Sequence, residues 1–200
     1  MKNALLFALF FLSMRCSYCQ IIKMENGYVI TNMKTRKFNI LHHNVSSYSG
    51  LMGVDYLYRK WFYLSSEVGY MKIGGQETNK NLQIVDSADY KAYESWNYGQ
   101  LNTTLRVKHD FDNLEVFLGA GPYLNILLGS DRFHSHLYAN SGYKAKRLNF
   151  GSKMEIGLTG NFHRIRVGLN GAYFLSLSPI AKSQYTSIVY KGYGIFLSLG

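Results

Sequence analysis

The stretch NLEVFLGAGPYLNILLG, residues 113–129, limits the folds open to this chain more than any other. Every second position from Leu114 to Leu128 carries Leu, Val, Leu, Ala, Pro, Leu, Ile and Leu, while Glu115, Phe117, Gly119, Gly121, Tyr123, Asn125 and Leu127 lie between them. A period of two belongs to a strand, whose successive side chains point to opposite faces. Strands in water-soluble sheets run to about five or six residues. A run this long, with one face wholly apolar, asks for a solvent other than water on that face.

The same alternation recurs along the chain. Leu148, Phe150, Met154, Ile156 and Leu158 share one face and Arg147, Asn149, Lys153 and Glu155 the other, with Ser152 interrupting the apolar row. Ile165, Val167, Leu169, Tyr173, Leu175 and Leu177 oppose Arg164, Arg166, Gly168, Asn170, Ala172 and Ser176, leaving Phe174 as an exception. Shorter rows fall around Met52 to Tyr56, Phe62 to Tyr70, Leu101 to Val107 and Tyr193 to Leu199, the last with Phe196 as a misfit. Residues 27–34 supply an eighth strand. Tight hairpin turns are expected at Arg59-Lys60, around residue 110 and around residue 160. The alternate connections, roughly 34–47, 74–95, 129–145 and 179–186, are long and polar.

Short turns alternating with long loops are the pattern of a transmembrane barrel, with the turns periplasmic and the loops outside. The expected fold is all-β, an eight-stranded antiparallel up-and-down transmembrane β-barrel whose lumen is packed with side chains. Alternation does not say which face points outward; charge does. Asp55, Glu67, Arg106, Lys108, Glu115, Arg147, Lys153, Glu155, Arg164 and Arg166 occupy the non-apolar face among glycines and amides. Small residues suit a crowded interior in which opposite charges pair, because an unpaired buried charge is costly. A lumen charge network of Asp55, Glu67, Arg106, Glu115, Lys153, Glu155, Arg164 and Arg166 is therefore expected, with lipid against the apolar face. A secreted, soluble, lipocalin-like barrel with its apolar side inward is the alternative.

The N-terminus fits an exported protein. Lys2, an apolar block over residues 4–14, and small Ser17 and Cys19 before Gln20 make up a secretory signal peptide. The block is shorter than the roughly 20 residues a membrane-spanning helix needs. Residues 1–19 are expected to be the leader and 20–200 one barrel domain. Both cysteines fall in the leader, so the mature domain has no disulfide or thiolate metal site. The net charge falls from +10 to +8 when Lys2 and Arg15 leave with it.

Residues 62–74, FYLSSEVGYMKIG, resemble the hairpin strand of the PorT-like outer-membrane β-barrel proteins of the Bacteroidota. In that family an aromatic-x-Leu-x-x-Glu-x-x-Tyr pattern recurs, here as Phe62, Leu64, Glu67 and Tyr70. FLGAGPYLNILLG is similar to the family's Ala-Gly-Pro-Tyr strand, in Ala120, Gly121, Pro122 and Tyr123. A strand proline gives up a ladder bond and usually marks a bulge. The final YGIFLSL, through Gly194, Leu197 and Leu199, is similar to the signal read by the barrel-assembly machinery, although no terminal aromatic follows. The resemblance spans about residues 50–200. It implies a non-enzymatic outer-membrane protein of a Gram-negative bacterium, structural or accessory, and more specifically a part in protein secretion or surface assembly alongside secretion-system proteins.

Residues able to carry chemistry are sparse. His134 and His136 are two apart in an expected outer loop, and His42-His43 in another, but neither pair has a third metal ligand in evidence. His109 and His163 flank short turns as interfacial polar residues. Ser135 or Ser141 with His134 or His136 offers the residue types of a lipid-A-modifying esterase without a spacing that supports one. No cofactor motif is present. The basic surplus of Lys34, Arg36, Lys37, Lys72, Lys80, Arg132, Lys144 and Lys146 lies in or beside the long loops. Outer-membrane lipid and lipopolysaccharide phosphates are its expected partners. No aromatic-basic nucleic-acid motif appears.

Overall fold

The computed structural model describes residues 21–35, 41–78, 91–134, 142–163, 165–184 and 186–200, with the side chains of all but 78, 91 and 92. The strands are β1 (Ile21–Thr35), β2 (Val45–Tyr56), β3 (Phe62–Thr78), β4 (Lys91–Phe111), β5 (Leu114–Leu127), β6 (Lys144–Ala145), β7 (Leu148–Phe162), β8 (Ile165–Ser176), β9 (Ala181–Lys182) and β10 (Ser187–Leu199). The eight long strands form one antiparallel meander in the order β1-β2-β3-β4-β5-β7-β8-β10. It closes where β10 pairs with β1, from Met24↔Leu199 to Thr35↔Ile188. Closure leaves no unpaired edge in the wall. The two-residue β6 and β9 pair with each other, and β9 with β10, as an extension beyond one end of the barrel.

Residues 57–61, 112–113 and 163–164 connect strands at one end, where Ile21 and Gly200 also lie. Asp112 turns the chain at φ 50°, a left-handed conformation that short polar side chains tolerate. Connections 36–44, 79–90, 128–143 and 177–186 join strands at the opposite end.

Two strand boundaries differ from the sequence expectation. The first strand begins at Ile21, not Gly27, because Ile22 and Met24 carry the outward apolar row back toward the terminus. The expected loop at 74–95 is strand at both ends, over 74–78 and 91–95, with pairing running to Thr78↔Lys91. Lys72, Gly74 and Gln76 carry no apolar row on the outward face, so periodicity is silent there while the ladder continues.

Pro122 interrupts the β4–β5 ladder without a bulge. Pairing stops at Asn102↔Tyr123 and resumes at Leu105↔Ala120, so two residues are skipped on each strand and the register is kept. The proline ring faces outward, and its other neighbour, Ser152, still pairs with it.

The barrel is apolar outside and polar within. Leu118, Ile156 and Leu169 are 61%, 59% and 55% exposed. Asp55, Glu67, Arg106, Glu115, Lys153 and Glu155 are buried. The misfits Phe174 and Phe196 point inward and are fully buried, so the lumen is not uniformly polar.

Candidate functional site

The lumen has two storeys. The one nearer the short turns is ionic. Each residue reaches it because its strand's inward parity places it there: Lys23 and Glu25 from β1, Asp55 from β2, Glu67 from β3, Arg106 and Lys108 from β4, Glu115 from β5, Lys153 and Glu155 from β7, and Arg166 from β8.

Glu67 is held from three sides, by Lys23 Nζ at 2.5 Å, Lys153 Nζ at 2.7 Å and Arg106 Nη2 at 3.1 Å. Arg106 also grips Glu155 in a fork, Nε to Oε1 at 2.6 Å and Nη2 to Oε2 at 3.0 Å. Such bidentate pairs are the stronger ones. Thr104 Oγ1 donates to the same Glu155 Oε1 at 2.5 Å, and Lys153 Nζ lies 2.9 Å from its Oε2. Lys23 reaches Glu25 at 2.5 Å and Asp55 at 3.5 Å. Arg166 joins Asp55 at 3.4 Å and pairs with Glu115, which Lys108 meets at 3.3 Å. Five buried carboxylates thus face five cations, a formally neutral set; at the rim, exposed Asp110 also meets Lys108 at 2.8 Å.

Aromatic rings close the floor. Tyr58 and Tyr63 stack with centroids 4.5 Å apart, and the Arg166 guanidinium lies 5.4 and 5.5 Å from their centroids. Lys108 Nζ sits 4.7 Å from the Tyr58 ring, and Arg106 4.5 Å from Phe117. Cations over such faces gain electrostatically when desolvated. Burial raises the Tyr58 hydroxyl far above the ordinary tyrosine range, so it remains a donor to Glu115 at 2.9 Å. A void lined by Lys23, Asp55, Arg106, Thr159 and Arg166 measures about 10 Å³, at the lower limit for one water. Gly119 makes room for the central fork. A Cβ there would stand 2.7 Å from Glu155 Cγ and Oε1.

Above the ions, Asn125 Nδ2 donates to the Tyr190 hydroxyl at 2.8 Å and Asn149 Nδ2 to Ser176 Oγ at 2.8 Å. The second storey, at the long-connection end, is apolar: Met33, Ile73, Trp96, Ile188 and Tyr190 are buried there. Three connections return a side chain to it, Leu41, Phe133 and Ile180, with Phe133 edge-on to Trp96 at 4.7 Å. The lumen is filled at both levels.

Of the residues expected in the charge network, Asp55, Glu67, Arg106, Glu115, Lys153, Glu155 and Arg166 come together; Arg164 lies outside the described residues. Arg147, placed by periodicity on the lumen side, is exposed just before β7 begins. Lys23 and Glu25 also belong to the cluster, although the strand expected from the sequence starts after them. Their signal was the Ile22, Lys23, Met24, Glu25 alternation. His42 and His43 lie ring against ring at 4.2 Å, and His134 Nδ1 is 3.6 Å from buried Glu94. Ser135, His136 and Ser141 lie outside the described residues. Among the described residues no three His, Cys, Asp or Glu side chains gather as metal ligands. His109 and His163 are exposed at the turn end.

Outside, aromatic rows bracket the aliphatic surface. Trp61, Phe111 and Phe162 ring the turn end, and Tyr28, Tyr48, Tyr70 and Tyr193 the other. Tyr48 and Tyr70 donate to Asn26 and Asn97 at 2.6 and 2.7 Å.

No family model matches this sequence, and no curated protein matches it. The fold matches solved outer-membrane barrels. Neisserial surface protein A superposes with a TM-score of 0.52 at 11% identity, over 90% of this chain and 97% of that one. The outer membrane protein OprG from Pseudomonas aeruginosa gives 0.51 at 10% identity, over 89% and 94%. The chain is a closed eight-stranded antiparallel β-barrel of the architecture found in outer-membrane proteins.

Proposed function

We propose that this chain is an integral outer-membrane β-barrel protein of a Gram-negative bacterium, without enzymatic activity, serving a structural or accessory role in the envelope. The observation that carries the reading is the inversion of polarity: a neutral five-against-five ion cluster inside and an aliphatic surface outside. Water cannot reward that arrangement; hydrocarbon can. A lipocalin-like barrel would need the apolar face inward. On β3, outward residues from Phe62 to Tyr70 span about 26 Å along the strand, or about 20 Å of height at a tilt of roughly 40°, close to the ~25 Å apolar band of outer-membrane barrels. The aromatic rows sit where interfacial girdles belong. The signal-peptide pattern at residues 1–19 and the barrel-assembly-like C-terminus support the same location, with the short turns periplasmic and lipopolysaccharide around the outer rim.

The resemblance to PorT-like proteins favours a second, narrower role in protein secretion or surface assembly. It rests on the Phe62, Leu64, Glu67, Tyr70 pattern. Stable co-purifying secretion-system proteins would support it.

Membrane fractionation and gel mobility test the main reading. The protein is expected in the outer-membrane fraction and, in detergent, to run as a compact band that shifts on boiling. Lipid A from a deletion strain is expected to keep its mass spectrum. Recovery as a detergent-free folded monomer, or altered lipid A, would contradict the proposal.

A further inference from the structure

We infer that the exposed side of the β6–β9 pair is a binding site for a phosphorylated lipid head group; this rests on the membrane reading above. Lys144 and Lys182 stand directly opposite each other in the ladder, and both are exposed. Their neighbours Ala145 and Ala181 face the other way, buried in the barrel mouth. Lys146 shares the exposed face of Lys144, and exposed Arg147 follows it. Like charges directly opposed across a ladder are destabilising. Here the backbone holds them in place: Lys146 N donates to Ile180 O at 2.7 Å, Ala145 N donates to Asp131 O at 2.9 Å, and β9 pairs with β10.

Among the described residues the chain supplies no counter-charge there. Among the described residues no carboxylate forms an ion pair with Lys144, Lys146, Arg147 or Lys182, and this includes the neighbouring Asp131. From residue 132 to 200 the single acidic residue is Glu155, committed inside the lumen to Arg106 and Lys153. Left without an anion among the described residues, the cations call for one from outside the chain.

Position identifies its source as lipid. Leu148, 58% exposed, follows Arg147 directly. Leu127 N donates to Arg147 O, which brings exposed Leu128 beside it, and Leu177 N donates to Phe150 O, joining two further exposed apolar residues. The patch thus begins where the aliphatic surface ends, at the level of head-group phosphates above acyl chains. A soluble polyanion would gain nothing from that continuity.

Native mass spectrometry of the full barrel in detergent tests this, with bisphosphorylated lipid A, its dephosphorylated counterpart and soluble polyphosphate as probes. Wild type is expected to retain lipid A in preference to both other probes, and K144Q/K182Q to bind it at least about tenfold more weakly, since each cation near an anionic surface contributes appreciably. K60Q, at the turn end, is expected to bind as wild type. Removing opposed like charges relieves repulsion, so the double variant should fold at least as well in lipid-free detergent; single K182Q provides a milder version. Equal lipid A retention by the double variant, equal binding of the dephosphorylated lipid, or polyphosphate binding as well as lipid A would each overturn the assignment. A heat-modifiable wild type that ignores the phosphates sinks this inference alone, whereas a wild type that folds without detergent sinks the membrane reading beneath it.

Discussion

Arg106→Leu is expected to cost about 3–5 kcal/mol of barrel stability, the penalty for stripping one partner from a buried ion pair. The side chain contacts Glu155, Glu67 and Glu25 at 2.6, 3.1 and 3.4 Å. Without it, five carboxylates face four cations in a space that excludes water. Against a total stability of ordinary size, about 5–15 kcal/mol, that loss should remove most of the folded band from a urea titration in detergent. The double variant Arg106→Leu with Glu155→Leu restores neutrality and is expected to recover at least half of the loss, because well-packed apolar replacements of whole pairs are often tolerated. Recovery separates charge balance from packing. A double variant no better than the single would mean that the fork's shape matters more than its charge.

Leu118→Arg is expected to destabilise the barrel by about 2–4 kcal/mol in a lipid bilayer, with Leu128→Arg costing about 0–1 kcal/mol, because the penalty depends on depth in the hydrocarbon. Both leucines are more than half exposed, at 61% and 59%. An exposed leucine on a water-soluble protein would tolerate either change within about 0.5 kcal/mol. The contrast between the two positions, measured by reversible unfolding from lipid vesicles, reports depth rather than burial.

Much of this architecture is written in the alternation, and the exceptions show where periodicity stops carrying information. Glu155 and Arg166 are readable because each sits between two outward aliphatic residues, and Glu67 and Lys153 because Val68 and Met154 flank them on one side. Lys23 and Glu25 obey the same rule, but Asn26 breaks the outward apolar row after them and hides the strand's true start. Phe174 and Phe196 look like errors only if the lumen is taken as polar throughout. They fill the upper storey, where Trp96, Tyr190 and Ile188 already exclude water. Beyond the apolar surface, β3 and β4 continue through Gln76 and Glu94 as a polar ribbon, with nothing in their composition to distinguish strand from loop. Leu41, Phe133 and Ile180 plug the mouth from connections whose sequence reads as polar. Opposed Lys144 and Lys182 come together only through pairing of two-residue strands far apart in the chain, which no local pattern encodes.

The central claim is that the aliphatic surface faces lipid and the ions face one another. Spin labels placed singly at Leu118, Ile156 and Leu169 in the vesicle-reconstituted protein test it most directly, through their collision rates with lipid-soluble oxygen and a water-soluble nickel chelate. The account predicts high oxygen and low nickel accessibility at all three positions, with the ratio rising toward the middle of the wall. Labels quenched chiefly by nickel, or shielded from both reagents as in a packed interior, would contradict it.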